Sequence, residues 1–195
     1  MLLHSLRFLM FRVFAIIFVV LALFASAAPA VTLQQLSLDQ MSQAATAIVR
    51  ARVTGSSANF IGSTIYTHYQ LQVSETWKGF TPTEVAVQGG IATQPGGKAY
   101  RQSFPGVPQL TVGTEYVLFL WTSSTTGITH LVGLSQGLFN LAAQADGSTV
   151  AVRPMIGELM LDASGHRVTD HAIQLGISGL KTQVSHALVR GERVQ

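Results

Sequence analysis

The sequence predicts a mainly β domain of antiparallel strands, with a short helix near its start and a longer helix at its end. Residues 65–79 begin with a period-two alternation of apolar and polar side chains, which is typical of a half-buried strand. Residues 115–121 are apolar on both faces, as in a strand that is buried on both sides. Residues 178–190 place apolar side chains at helical spacing, and Gly191 marks the end of that helix.

Residues 1–30 have the composition of a secretory signal peptide. Arg7 and Arg12 supply a positive start, residues 13–24 are apolar, and two A-x-A cleavage motifs follow before residue 31. The apolar segment is short against the roughly 20 residues of a bilayer-spanning helix. We therefore expect cleavage, an exported protein that is periplasmic or extracellular, and no membrane span in the mature chain. An uncleaved anchor helix is the alternative.

The remaining residues, 31–195, suit one domain with a modest core. The chain has 12 Lys and Arg against 9 Asp and Glu, and without the two early arginines the mature net charge is about +1. That balance does not favour sequence-independent binding to nucleic acid, even though Arg50 and Arg52 share one strand face. The chain has no cysteine, which excludes disulfides, a thiolate metal site and a cysteine nucleophile.

Local signals place the elements in order. Ser37 and Gln40 fit a capping box, so a short helix is expected over residues 38–45. A strand over residues 47–54 follows, and the strand over residues 65–79 is expected to be its antiparallel partner. Further strands are expected over residues 83–88, 115–121, 128–134 and 137–141, with hairpin turns at Asp146-Gly147 and at residues 162–165.

Residues 89–113 lose this periodicity and are rich in glycine and proline. Long irregular connections of this kind are often functional. The segment contains Lys98, Tyr100, Arg101 and Phe104, a mixture of cations and aromatics that is found at binding hot spots. We predict that these four residues bind a partner. A hairpin extension packed on the end of the sheet is the alternative.

An uncharacterised family of secreted bacterial proteins has a pattern that resembles four segments of this chain: AIVRARV, ETWKG, VGTEYVLFLW and VGLSQGLFNL. The resemblance covers about residues 36–141, and Lys78-Gly79 and Gln136-Gly137 match best. It implies an OB-like antiparallel barrel, which is remotely similar to the netrin-like domains of metalloproteinase inhibitors. Those inhibitors present an N-terminal cysteine to the metal, and this chain has none, so only the fold carries over.

The sequence contains one segment that matches the residue spacing of a catalytic motif. Residues 133–137 read G-L-S-Q-G, which matches the nucleophile elbow of serine hydrolases with Ser135 as the nucleophile. The elbow joins a strand to a helix in a mainly parallel sheet, whereas residues 138–141 have the composition of a strand. A hydrolase that uses Ser135 is therefore an alternative function.

Histidines offer a second catalytic alternative. His166, His171 and His186, with Asp170, supply ligand types for a metal, although no motif such as H-E-x-x-H is present. His68 lies on the polar face of the strand over residues 65–79, where we expect it to be solvated.

The main functional prediction is an exported, non-enzymatic binding or accessory module, with a protein partner in the cell envelope or outside the cell. A secreted protease is one such partner. No catalytic residue, metal ligand or cofactor is assigned. The alternatives are a hydrolase or metal-dependent enzyme that uses Ser135 or the C-terminal histidines, and a structural component of the envelope.

Overall fold

The computed structural model describes residues 31–192. The predicted signal peptide, residues 1–30, lies outside the described residues, so its cleavage stays a prediction. Within residues 31–192, no helix has both the length and the apolar composition needed to cross a membrane. The described chain is mainly β with two helices, which confirms the predicted fold class.

Helix α1 spans Leu38–Ala44 and helix α2 spans Ile177–Glu192. The strands, in chain order, are β1 (Thr32–Gln34), β2 (Ala47–Ile61), β3 (Thr64–Gly79), β4 (Glu84–Gln88), β5 (Gly90–Thr93), β6 (Ala99–Gln102), β7 (Glu115–Thr122), β8 (Thr129–Leu131), β9 (Leu138–Ala143), β10 (Thr149–Arg153), β11 (Leu159–Leu161), β12 (Arg167–Val168) and β13 (Ile173–Gly176). A short 3-10 helix, Leu134–Gly137, joins β8 to β9.

One antiparallel sheet organises the domain. Its strand order is β13-β10-β9-β7-β2-β3-β4, and β8 pairs with β7 beside it. The long strands β2 and β3 pair along almost their whole length, from Ala47 opposite Gly79 to Ile61 opposite Thr64, as the predicted hairpin requires. A three-stranded sheet, β1-β11-β12, and the β5-β6 hairpin complete the fold.

The main sheet is covered on both faces, which explains why the centre of β7 is buried on both sides. Alternate residues of β2, β3, β4 and β7 build a first core, which contains Val49, Val53, Tyr69, Val85, Tyr116 and Leu118. The opposite face packs against both helices in a second core, which contains Met41, Ile48, Phe119, Phe139, Leu180 and Val184. Arg190 on α2 also binds the carboxylate of Asp39 on α1.

Several elements differ from the sequence prediction because pairing overrides local preference. Residues 55–59 have the composition of a turn, yet β2 continues to Ile61 because β3 pairs with it beyond a register shift between Val53 and Gly55. Residues 89–113 are not wholly irregular, since they contain the β5-β6 hairpin. Strands β1 and β13 were not predicted. β1 pairs with β11 and β13 pairs with β10, so each depends on a strand that is not its neighbour in sequence.

The two best-matching dipeptides of the family resemblance have structural roles here. Lys78 Nζ donates to the carbonyl oxygens of Ser42 (2.8 Å) and Gln43 (3.0 Å) at the C-terminus of α1. Gln136 is buried, and its amide joins the 3-10 helix to the N-terminal segment. Its Oε1 accepts from the Leu36 N–H (2.8 Å), and its Nε2 donates to the Gln34 carbonyl oxygen (2.9 Å).

A closed OB-like barrel is not shown. Strands β4 and β8 lie side by side at one edge of the curved sheet, with Cα atoms within 8 Å of each other. No backbone ladder joins them within the described residues, and β4 ends the sheet order. The contact between them is a side chain, because His130 Nδ1 lies 3.2 Å from the Ala86 carbonyl oxygen. We call this unpaired junction of β4 and β8 the seam.

Candidate functional site

The four residues predicted to bind a partner do not share one face. Tyr100 lies on the side of the β5-β6 hairpin that packs against the sheet, in edge-on contact with Phe60 at 6.0 Å between ring centroids. Lys98 Nζ lies 5.1 Å from the centre of the Tyr100 ring. Arg101 is on the opposite, exposed face of the hairpin, and Phe104 follows it as a partly exposed side chain. The backbone matches the hairpin alternative, and partner binding by these residues stays a prediction.

Ser135 lies in the 3-10 helix, which leads directly into β9 and not into the long helix of a nucleophile elbow. Leu134, just before it, has a φ of 58°, a strained value for a residue with a side chain. The Ser135 Oγ is buried and has no hydrogen-bond partner within the described residues. Ser135 borders a cavity of about 260 Å³ whose described lining contains one carboxylate, Glu158, and no histidine.

The predicted C-terminal histidine site is not assembled. Asp170 is buried and engaged by Arg153, and His166 is exposed beside Asp162. Among residues 31–192, no three side chains of the His, Cys, Asp or Glu types come together as metal ligands would. His171 and His186 are exposed.

Arg50, considered above as a contact for an oligonucleotide, is held by two carboxylates. Its guanidinium donates to Glu115 through Nε (3.1 Å) and Nη2 (3.0 Å), and Nη1 lies 3.3 Å from Glu75. The hydrogen bond from Arg50 lowers the pKa of Glu115. A neutralised arginine of this kind offers little attraction to phosphate, because phosphate binding depends on uncompensated positive charge.

The seam is bordered by two cavities, one at each end, that the sequence did not reveal. Because backbone groups alternate in direction along a strand and odd-numbered residues of β4 bond to β3, Glu84, Ala86 and Gln88 direct their backbone groups towards β8. Thr129 and Leu131 of β8 face β4 for the same reason. The contact between His130 and Ala86 lies between the two cavities.

The first cavity, which we call the aromatic cavity, has a volume of about 290 Å³. Three rings border it on the outer surface of the sheet, on β3, β8 and β7. His130 stands 6.0 Å from Tyr66 and 6.2 Å from Trp121 between ring centroids, and its ring is within 25° of parallel to Trp121. Gln88 Nε2 donates to the Tyr66 hydroxyl (3.2 Å). The floor is apolar and consists of Val87, Val107, Pro108, Leu131 and Leu134.

Trp121 distinguishes this cavity from an ordinary core contact. Its side chain is 46% exposed, although it ends a run that the sequence predicts to be buried on both faces. The sheet positions the ring, since Trp121 pairs with His130 across β7 and β8. A large apolar ring held open to solvent beside a cavity is typical of a recognition surface.

The second cavity, which we call the threonine cavity, has a volume of about 420 Å³. Five threonines border it: Thr81, Thr83, Thr122, Thr126 and Thr129. His68 and Glu84 also line it, with His68 Nδ1 2.6 Å from Glu84 Oε1. The expectation that His68 is solvated was wrong, because its Nε2 is buried and lacks a hydrogen-bond partner in the described chain. An unpaired buried nitrogen is uncommon in folded proteins and calls for an explanation.

Neither cavity has a lysine or an arginine in its described lining, and Glu84 is the only carboxylate. The seam therefore combines exposed rings, hydroxyl groups and amide groups with almost no formal charge. Tyr66 and His68 occupy adjacent polar-face positions of the strand over residues 65–79. The sequence placed Tyr66 opposite Arg50 and Arg52 as a candidate contact for a partner or an oligonucleotide, and it did not connect either residue with β8.

No family model, curated protein or solved structure matches this chain. The fold and the seam define a mainly β protein with an aromatic surface cleft.

Proposed function

We propose that the protein is an exported, non-enzymatic binding module and that its ligand binds along the seam. The observation that carries this proposal is the exposed Trp121 ring, stacked beside His130 at the mouth of the aromatic cavity. Ligand sites are commonly concave and mostly apolar, with a few polar groups that orient the ligand. Export is supported by the composition of residues 1–30.

The polar groups of the seam favour binding over catalysis. His68 and Glu84 resemble the base and the orienting carboxylate of a hydrolytic triad. A nucleophile within hydrogen-bond reach of the base would complete such a set. However, no threonine hydroxyl of the threonine cavity is bonded to His68 Nε2 in the described residues. Ser135 supports the hydrolase alternative no better, because the described lining of its cavity lacks a histidine.

Trp121→Ala is expected to weaken binding of the purified mature chain, residues 31–195, to isolated bacterial cell envelopes by at least about tenfold, as loss of a central hot-spot ring does. The bound fraction is measured by sedimentation over a range of envelope concentrations. Val112→Ala is the control, since Val112 is also about half exposed (50%) and lies outside both cavities. Thermal melting verifies that both variants stay folded.

A double variant, Lys98→Ala with Arg101→Ala, separates the seam from the hairpin. We expect it to bind like the unmodified protein. If it loses binding while Trp121→Ala retains it, the hairpin prediction is right and the seam proposal is wrong. Turnover of an envelope component that depends on Ser135 would instead support the hydrolase.

A further inference from the structure

The aromatic cavity presents flat apolar surfaces with polar edges. The Trp121 and His130 rings are nearly parallel, and Trp121 is about half exposed. Tyr66 and Gln88 place a hydroxyl and an amide beside these rings. This arrangement suits a ligand that has an apolar face for stacking and hydrogen-bonding groups around its rim.

The threonine cavity extends the same surface with hydroxyl groups. Thr122 and Thr129 hydroxyls lie 2.9 Å apart, and Thr83 belongs to the same lining. Glu84, which contacts His68 Nδ1, keeps a side chain that is 44% exposed and can accept hydrogen bonds from a bound molecule. A ligand rich in hydroxyl groups can donate to this carboxylate and exchange hydrogen bonds with the threonines.

Charge excludes polyanionic ligands. Proteins that stack the bases of single-stranded nucleic acids combine aromatic rings with a positively charged groove. The described linings of both cavities contain aromatic rings but no lysine or arginine, and Glu84 adds a negative charge. A ligand that carries phosphate or several carboxylates would therefore be repelled at the threonine cavity.

Geometry argues against an inserted peptide strand. Neighbouring strands lie about 4.8 Å apart, so a strand between β4 and β8 needs a gap of about 9.6 Å. The Cα atoms of β4 and β8 approach within 8 Å, and His130 bridges the gap to Ala86. The ligand must lie over the seam. From Glu84 to Gln88 the seam runs for about 13 Å, which favours a chain of rings over a single ring.

We infer that the seam binds an uncharged glycan chain, with one sugar ring stacked on Trp121 and a neighbouring sugar hydrogen-bonded to the threonine cavity. This inference rests on the proposed function, because it names the ligand class of the same site. Free and polymer-bound glycans share the chemistry, so soluble oligosaccharides are suitable probes.

The test is isothermal titration of the mature chain, residues 31–195, with two neutral β-1,4-linked hexasaccharides, one of glucose and one of N-acetylglucosamine. We expect at least one to bind with a Kd of about 0.1–1 mM. Raising the salt concentration should leave that Kd unchanged, since no ion pair contributes. Trp121→Ala should weaken binding at least about tenfold, and Thr129→Val, which removes a hydroxyl from the other cavity at similar volume, should weaken it severalfold. Val112→Ala should have no effect.

Decaproline peptide and single-stranded oligothymidine are titrated alongside, as a neutral peptide and a polyanion. Failure of both hexasaccharides to bind overturns the inference, as does binding that survives Trp121→Ala. Tryptophan-dependent binding of decaproline alone would assign the seam to a proline-rich peptide instead. If the glycan inference fails in any of these ways, envelope binding that still depends on Trp121 leaves the proposed function standing. Envelope binding that does not depend on Trp121 removes both the glycan inference and the proposed function.

Discussion

Asp170→Asn is expected to lower the free energy of unfolding by about 3–5 kcal/mol, because it leaves a buried arginine without its counter-charge. Asp170 and Arg153 are only 4% and 5% exposed. They form a two-point ion pair, with Arg153 Nη1 and Nη2 donating to the two carboxylate oxygens at 2.9 and 2.8 Å. Asp170 also accepts from the Ile156 N–H at 2.8 Å. Urea unfolding of both proteins at neutral pH measures the difference.

A second arginine–aspartate ion pair, which is exposed to solvent, serves as a matched control. Arg190 Nη2 donates to both carboxylate oxygens of Asp39, at 2.7 and 2.8 Å, but the two side chains are 60% and 45% exposed. Asp39→Asn should therefore cost at most about 1 kcal/mol. Replacing both buried partners, as Arg153→Met with Asp170→Leu, should recover much of the loss. If the double variant is as unstable as Asp170→Asn, the unpaired charge is not the cause.

The same carboxylate makes stability depend on pH. Burial raises the pKa of Asp170, but the hydrogen bond from Arg153, the Ile156 N–H and the charge of Arg153 outweigh it and leave the pKa below its ordinary value of 3.8. A depressed pKa in the folded state stabilises the protein above the unfolded-state pKa, and that contribution is lost as the pH falls through the folded value. Acid unfolding of Asp170→Asn should lack this component below about pH 4.

Much of the fold follows from local sequence signals. The alternation after Ile65 predicts β3 because a half-buried strand needs one apolar face, and Tyr69 and Leu71 indeed lie in or against the first core. The capping box at Ser37 predicts α1 to within one residue at its end, since the Ser37 hydroxyl and the Gln40 side chain satisfy amides at the helix start. These signals act over a few residues, so they are readable without knowledge of the tertiary structure.

The candidate site depends on contacts between distant segments, which the sequence did not reveal. Ala86 and His130 are 44 residues apart, and they meet only because the sheet curves until β8 lies beside β4. Trp121 belongs to an apolar run in which Leu118 and Leu120 are fully buried. Local periodicity does not indicate that the ring at the end of this run faces a cleft. Arg153 and Asp170 likewise resemble surface residues until their burial is known.

Gly79→Ala is expected to destabilise the protein by about 3–5 kcal/mol, from left-handed backbone strain and overpacking together. Gly79 ends β3 with a φ of 69°, opposite Ala47. A Cβ atom at this position would overlap the carbonyl oxygen of Thr46, which belongs to the backbone and cannot rotate away. The Thr46 N–H donates to Leu120 at 2.8 Å, so relief of the overlap would disturb β2 and its contact with β7. Urea unfolding measures the loss.

Gly62→Ala separates these two effects, because it introduces left-handed backbone strain without the overpacking. Gly62 lies between β2 and β3 with a φ of 63°, close to that of Gly79, and a Cβ atom there would meet nothing within 4 Å. The left-handed conformation alone should therefore cost this variant about 1–2 kcal/mol. The difference between the two variants measures the contact between Gly79 and the Thr46 backbone. Equal losses would mean that this contact relaxes freely, and that Gly79 is needed for its backbone conformation alone.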